Sequence, residues 1–318
     1  MRLLVLGFSS IAERRVIPAA AGVAAIDEIS IASRSRPQPA GWPKAGRFFA
    51  DYEAALHDGD PDLVYLSLPN AMHDRWVMAA LAAGKHVIVD KPAMMTLEAS
   101  RRGVGEAQRR GRLFAEATVF GHHPQFEQLA TFLTETGPLT HVAAQFIIPP
   151  LPIANFRNHG ELGGGCLLDM GPYAAATMRL LGGGLPTAIS ALAGGRHPET
   201  GVDMGFSVQA RLANGAIFSG HFSFEGEYQN RLTIVGRSGS VIVERVFSPP
   251  ADHRMEWRRR VRNVESLVTF EPADTFARFL ETACQAVVKG DHEGFYRDLL
   301  EDAECRQQIA DALAGASH

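Results

Sequence analysis

Through the first 120 residues, short apolar runs alternate with longer stretches in which apolar positions recur every three or four residues. Residues 3–6, 28–32, 63–68, 86–89 and 113–117 read as buried strands, and residues 14–25, 51–57, 74–83 and 97–110 carry the helical period. Strands separated by helices need crossover connections, which are right-handed and lay the strands parallel. The pattern predicts an N-terminal parallel sheet of the Rossmann type.

Beyond residue 120 the pattern changes to helix, strand, helix and then strands in succession. Residues 202–212 and 216–224 flank Asn214-Gly215, a pair that tolerates the positive φ of a tight hairpin turn. Residues 232–235 and 240–246 flank the segment 236–239 in the same way. This half predicts an α+β domain built on a mainly antiparallel open sheet. Two helices, 274–289 and 295–314, close the chain and could return over either domain. The expected organisation is α/β overall, with one domain over residues 1–120 and a second over residues 121–318.

At 318 residues the chain is too long for one ordinary core and suits two. Its 46% hydrophobic and 21% charged residues describe a globular chain that folds in water. The net charge is −4 and basic residues are scattered, except for Arg258, Arg259 and Arg260. A charge run is ordinarily a solvated face, so no nucleic-acid partner is expected. No apolar run is long enough to span a bilayer, and the first residues lack the order of a signal peptide. Cys166, Cys284 and Cys305 show neither metal-ligand nor disulfide spacing. A cytoplasmic protein with no membrane partner and no metal is the expectation.

Gly7-Phe8-Ser9-Ser10-Ile11-Ala12 stands where the first strand turns into the first helix, and it follows G-x-G-x-x-A with Ser9 in place of the second glycine. Backbone N–H groups and the helix dipole at such a turn, here at Ser10 and Ile11, attract a pyrophosphate. Gly7 permits the tight turn and Ala12 close helix packing, while Ser9 must approach the phosphate or donate its hydroxyl to it. An acidic residue after the second strand would hold the ribose 2'-hydroxyl of NAD. The segment Ala32-Ser33-Arg34-Ser35-Arg36 has none. Ser33, Arg34 and Arg36 suit the dianionic 2'-phosphate instead, so NADP(H) is the expected cofactor.

Asp90-Lys91-Pro92 follows the next-to-last Rossmann strand, at the carboxyl end where open α/β sheets bind ligands. Gly163-Gly164-Gly165 enters a helix in which Asp169 and Tyr173, four residues apart, share a face. With the Gly7 turn, Leu68-Pro69-Asn70 and His73, these segments make the chain resemble the glucose-fructose oxidoreductase and inositol dehydrogenase family over essentially its full length. Many members carry Glu-Lys-Pro and a histidine where this chain has Asp90-Lys91-Pro92 and Tyr173. The tyrosine is similar to the branch that holds glucose-fructose oxidoreductase, dihydrodiol dehydrogenases and sugar-nucleotide 3-ketoreductases. Segments 120–125, 148–150 and 245–250 most resemble the NADPH-dependent sugar-nucleotide 3-ketoreductases.

The resemblance implies hydride transfer between NADP(H) and a sugar carbon, most specifically reduction of a 3-keto sugar nucleotide. Lys91, Tyr173 and Asp169 would be catalytic: Lys91 or Tyr173 gives the proton to the alkoxide, and Asp169 orients the sugar or Lys91. Leu68, Pro69, Asn70, His73, Asp90, Lys91 and Glu116 would line the cofactor, with Asn70 and His73 against the nicotinamide ribose. His123, Asp169 and Tyr173 would meet the substrate. A free sugar, a cyclitol or a dihydrodiol is the alternative substrate, and a non-catalytic NADP(H)-binding protein the alternative class. A sheet face without helices over it implies a homodimer or homotetramer.

Overall fold

The computed structural model describes residues 1–315, in two compact units. The first comprises Met1–Val119 and Phe276–Leu300, and the second comprises Phe120–Thr275 and the described residues 301–315.

Six parallel strands form the sheet of the first unit: β1 (Arg2–Leu6), β2 (Glu28–Ala32), β3 (Ala45–Phe49), β4 (Leu63–Leu66), β5 (His86–Val89) and β6 (Phe114–Glu116). Their order is β3-β2-β1-β4-β5-β6. Strands β1, β2, β4 and β5 are buried along nearly their whole length, as apolar runs covered on both faces must be. The edge strand β3 is absent from the sequence expectation because it buries only its last residue fully. Strand order reverses between β1 and β4, which opens the crevice where such sheets take ligands. Gly7 stands at that point with φ +101°, and a Cβ there would lie 2.2 Å from the Ser67 carbonyl oxygen. Only glycine fits.

The first helix departs from the expected span of 14–25. A π-helical turn, Ala12–Val16, leads into α1 (Ile17–Gly22), which ends earlier than expected. Pro18 has no N–H to return to Arg14, and the Ile17 N–H reaches back five residues to the Ala12 carbonyl. Helices α2 (Tyr52–His57) and α4 (Leu97–Arg110) are capped by the side chains of Asp51 and Thr96, and α3 (His73–Ala82) lies between them in the chain.

The second unit opens with α5 (Leu129–Thr136), β7 (Leu139–Ile147) and α6 (Cys166–Gly182). It continues through β8 (Ala188–Ala193), β9 (Gly205–Arg211), β10 (Ile217–Ser223), β11 (Gln229–Gly236), β12 (Gly239–Glu244), β13 (Met255–Val261) and β14 (Val264–Phe270). The eight strands pair in the order β14-β13-β12-β11-β7-β10-β9-β8, antiparallel except for β7 beside β10. Alternate residues such as Val142, Phe146, Phe206, Phe218 and Ile234 share one core with Met170, Ala174 and Met178 of α6. The intervening positions, among them Gln145, Ser207, Gln209, His221 and Thr233, are polar and at least partly exposed. The β9–β10 hairpin turns at Asn214-Gly215 with Gly215 at φ +87°, as its sequence dictates.

The arginine run lies within β13. Strand alternation leaves Arg258, paired with Glu244, and Arg260 exposed and half-buries Arg259 in an ion pair with Glu135, so the expected solvated face holds for only two of the three. Helix α7 (Thr275–Lys289) belongs to the first unit, where Phe279, Leu280 and Ala283 pack with Leu3, Val5 and Ile29. Helix α8 (Glu293–Gly315) serves both: Tyr296 and Leu299 are in the first unit's core, Cys305 and Ile309 in the second's. No described helix is long and apolar enough to cross a membrane.

Candidate active site

The Ser9 hydroxyl, which the sequence suggests for a phosphate, is engaged within the protein. Its Oγ accepts the Ala12 N–H at 3.0 Å and lies 2.7 Å from Ser67 Oγ. Ser67 Oγ in turn donates to Asp90 Oδ2 at 2.6 Å. A carboxylate only accepts, so the single Ser67 proton goes to Asp90 and Ser9 must donate to Ser67. The Tyr65 hydroxyl takes the other carboxylate oxygen of Asp90 at 2.6 Å. Ser10 and Ile11 are exposed at the start of the helical stretch, where backbone N–H groups lack intrahelical acceptors. With no side chain on Gly7, these donors form a cradle that fits a dinucleotide's phosphates.

Past β2, Ser33 is buried and its Oγ accepts the Arg36 N–H at 3.0 Å. Arg34 lies over the Tyr52 ring at 4.7 Å and bonds Asp51 at 2.9 Å. Arg36 lies over Phe8 at 4.3 Å and bonds Glu13 at 2.9 Å. Both guanidiniums remain partly exposed, oriented by aromatic faces and by carboxylates that a phosphate dianion would displace.

Lys91 is half-buried, with a cis bond to Pro92. Its loop is tied on both sides: His73 Nδ1 is 2.9 Å from the Pro92 carbonyl oxygen, and Glu116 Oε2 accepts the Ala93 N–H at 2.6 Å. Thr118 donates to the other oxygen of Glu116 at 2.7 Å. His73 Nε2 lies 2.9 Å from the Leu68 carbonyl oxygen. The imidazole is fully buried, so the expected contact with the nicotinamide ribose gives way to a tie between the Leu68 and Lys91 loops. Asn70 is also buried, whereas Leu68 and Pro69 are half-buried.

In the second unit, α6 carries Asp169 and Tyr173 on one face. The helix start receives no cap from its own Gly165. Asp203 supplies one from 36 residues away: its Oδ2 accepts the Leu167 N–H at 2.6 Å, and its backbone carbonyl accepts the Cys166 N–H at 2.9 Å. Burial pushes the Asp203 carboxyl above its usual range, and the backbone donors of Leu167 oppose that shift. The glycine run makes this approach possible. A Cβ at Gly165 would sit 2.3 Å from Asp203 Oδ1, and one at Gly164 2.4 Å from the Arg157 carbonyl oxygen.

Asp169 is buried and ion-paired with Arg157, Nε to Oδ1 at 2.9 Å. A buried carboxylate is costly without such a partner. Arg157 itself lies over the Phe156 ring at 4.8 Å. The Tyr173 ring is boxed by Phe120, Phe146 and Phe247, at centroid distances of 6.0, 5.1 and 5.4 Å. His123, expected to meet the substrate, is instead wholly buried. Its Nδ1 accepts the Gln125 N–H at 3.2 Å, and its ring packs edge-on against Phe270. Sequence reading missed Asp203 and the pairing of Arg157, since neither stands at a spacing that announces its partner.

The first 118 residues match the family model described as an oxidoreductase family with an NAD-binding Rossmann fold. Residues 134–242 match the GFO/IDH/MocA C-terminal domain. A dTDP-3,4-didehydro-2,6-dideoxy-alpha-D-glucose 3-reductase of Saccharopolyspora spinosa is 36% identical over 82% of this chain and 79% of its own. The reductase of the same name from Actinomadura kijaniata is 33% identical, covering 98% of this chain and 94% of its own. A crystal structure of a 3-ketoreductase from Actinomadura kijaniata, in complex with NADP and TDP-benzene, superposes with a TM-score of 0.90 at 30% identity, covering 98% of both chains. The chain belongs to the GFO/IDH/MocA family of oxidoreductases.

Proposed function

We propose that this protein is an NADP(H)-dependent reductase of a 3-keto sugar nucleotide. The observation that carries the reading is the likeness, along nearly the whole chain, to a 3-ketoreductase that binds NADP and TDP-benzene. The alternatives were a dehydrogenase of a free sugar, cyclitol or dihydrodiol, and a non-catalytic NADP(H)-binding protein.

Bound NADPH supplies the hydride. The Gly7 turn with the N–H groups of Ser10 and Ile11 would hold its pyrophosphate, and Ser33, Arg34 and Arg36 would hold its 2'-phosphate. Leu68, Pro69 and Asn70 border the nicotinamide end, while His73, Asp90 and Glu116 act indirectly by fixing the loops around Lys91. Asp169, held by Arg157, orients the sugar through its hydroxyls. Lys91 and Tyr173 deal with the carbonyl oxygen: the ammonium draws negative charge toward it and the phenol gives it a proton as the alcohol forms. We further propose that the partly exposed outer face of the eight-stranded sheet joins copies of the chain into a homodimer or homotetramer.

The decisive assay follows NADPH oxidation with a dTDP-3-keto-deoxysugar, beside NADP+ reduction with free sugars and cyclitols. Turnover confined to the free sugars would replace the proposed substrate. Sedimentation at micromolar concentration checks the assembly, and a monomer throughout that range would remove it.

A further inference from the structure

The three hydroxyl bonds between Ser9 and Asp90 join segments that do different work. Ser9 belongs to the turn at the end of β1, Ser67 follows β4, and Asp90 follows β5 directly before Lys91. The direction of every proton in this chain is fixed: Ser9 gives to Ser67, Ser67 gives to Asp90 Oδ2, and Tyr65 gives to Asp90 Oδ1. Ser67 is buried, so no water competes for its single proton. Ser9 also accepts the Ala12 N–H, which ties its rotamer to the first helical turn. The short Asp90 side chain is drawn wholly into these bonds, and Ser9 in place of a glycine provides the hydroxyl that starts the chain.

We infer that Ser67 is a positioning residue that couples the seating of the dinucleotide at the Gly7 turn to the orientation of the Lys91 loop. This rests on the NADP(H)-binding reading and is independent of which sugar is reduced. A cofactor phosphate that settles on the Ser10 and Ile11 N–H groups fixes Ser9. Ser9 fixes the Ser67 rotamer, and Ser67 fixes the carboxylate next to Lys91. Without the Ser67 hydroxyl the cofactor still binds, but the Asp90 carboxylate keeps only its Tyr65 bond, and Lys91 loses its link to the Gly7 turn while the His73 and Glu116 ties remain.

The test combines NADPH titration by fluorescence, steady-state kinetics and deuterium exchange of the peptide spanning residues 86–97. In the parent protein, NADPH should slow exchange across that peptide. Ser67→Ala should lose that protection and lower kcat roughly ten- to hundredfold, the scale of a misplaced catalytic group, with NADPH affinity changed less than about threefold. Ser67→Thr keeps a hydroxyl and should restore protection. Ser9→Ala should lower kcat even at saturating NADPH and should add little in the Ser67→Ala background. A purely local capping role for Ser9 would instead weaken NADPH binding and leave kcat at saturation unchanged. Undiminished protection and kcat in Ser67→Ala, or multiplying effects of the two changes, would overturn the coupling. If Ser67→Ala fails to fold, Ser9→Ala decides by the same two readouts. A parent protein that shows NADPH-dependent protection yet no turnover on the 3-keto sugar nucleotide would overturn the substrate and leave the coupling supported.

Discussion

The Asp203 carboxylate caps the Leu167 N–H at 2.6 Å, and so a residue outside α6 holds the end of the helix on which Asp169 and Tyr173 stand. Losing an N-cap acceptor typically costs about 1 kcal/mol. Asp203→Ala should lower the stability of the second unit by about that amount and reduce turnover, with NADPH affinity unchanged. Asp203→Asn should be far milder. Its amide oxygen still accepts the N–H, and replacing a carboxyl that burial raises in pKa removes the cost of keeping it ionised at neutral pH. Chemical denaturation and NADPH titration of both variants check this. Equal losses in the two would show that charge rather than capping is what Asp203 provides.

Cofactor choice should depend on Arg34, whose guanidinium lies between the rings of Tyr52 and Trp76 and the Asp51 carboxylate. Arg34→Ala should raise the Michaelis constant for NADPH about tenfold or more, the scale of a lost charge-assisted bond, and barely alter that for NADH. The ratio of the two constants is the measurement. Parallel changes would mean that Arg34 serves the fold and not the 2'-phosphate.

A pH dependence follows from His86, which is pushed down to about 4 by burial first and then by Arg112 and His292. Its Nδ1 accepts the Leu113 N–H at 2.9 Å, so the neutral ring carries its proton on Nε2, beside the Arg112 guanidinium. Protonation has to break that acceptor bond and place a cation near another. The folded pKa lies below the unfolded 6.5, so the unfolded chain binds more protons between the two values. The stabilisation is complete above pH 6.5 and is lost as pH falls toward 4, by at most about 3 kcal/mol. His86→Asn keeps an acceptor for Leu113 and does not titrate. Urea midpoints measured from pH 7 to 4 should fall less steeply in that variant; identical slopes would assign the acid sensitivity elsewhere.

Local signals made the fold legible. Buried parallel strands must be apolar throughout, which is why β1, β2 and β5 read almost to the residue, and Asn214-Gly215 announced its hairpin through one required backbone conformation. Strand β3 and the β13–β14 hairpin were missed because edge strands keep polar residues, and three successive arginines mask the alternation of Met255, Trp257 and Arg259. The hairpin did carry a signal in Asn263, whose φ of +66° suits a tight turn. At the candidate site, Lys91, Asp169 and Tyr173 were proposed from the company of neighbouring motifs. What each polar group bonds to was not, because Ser9 finds Ser67, and Asp203 finds Leu167, only once the chain has folded. For the same reason His73 and His123 read as ligand contacts although folding encloses both.

The last prediction concerns Lys91 and Tyr173, proposed to act on one oxygen. The Phe120, Phe146 and Phe247 rings hold Tyr173 by its own ring, so Tyr173→Phe should keep the aromatic packing and remove only the hydroxyl. Lys91→Met likewise keeps most of the aliphatic stem while removing the charge. Positioned acid–base catalysis contributes about 100- to 10,000-fold. Each variant should therefore lose turnover within that range while binding NADPH nearly as the parent does. Residues that serve the same proton fail together, so the double variant should be little worse than the poorer single one. Single-turnover kinetics with deuterated NADPH should show a larger isotope effect in both singles, because the impaired chemical step then limits the rate. Near-native single-turnover rates in both variants would remove Lys91 and Tyr173 from the chemistry, and fully multiplicative losses would give them separate tasks.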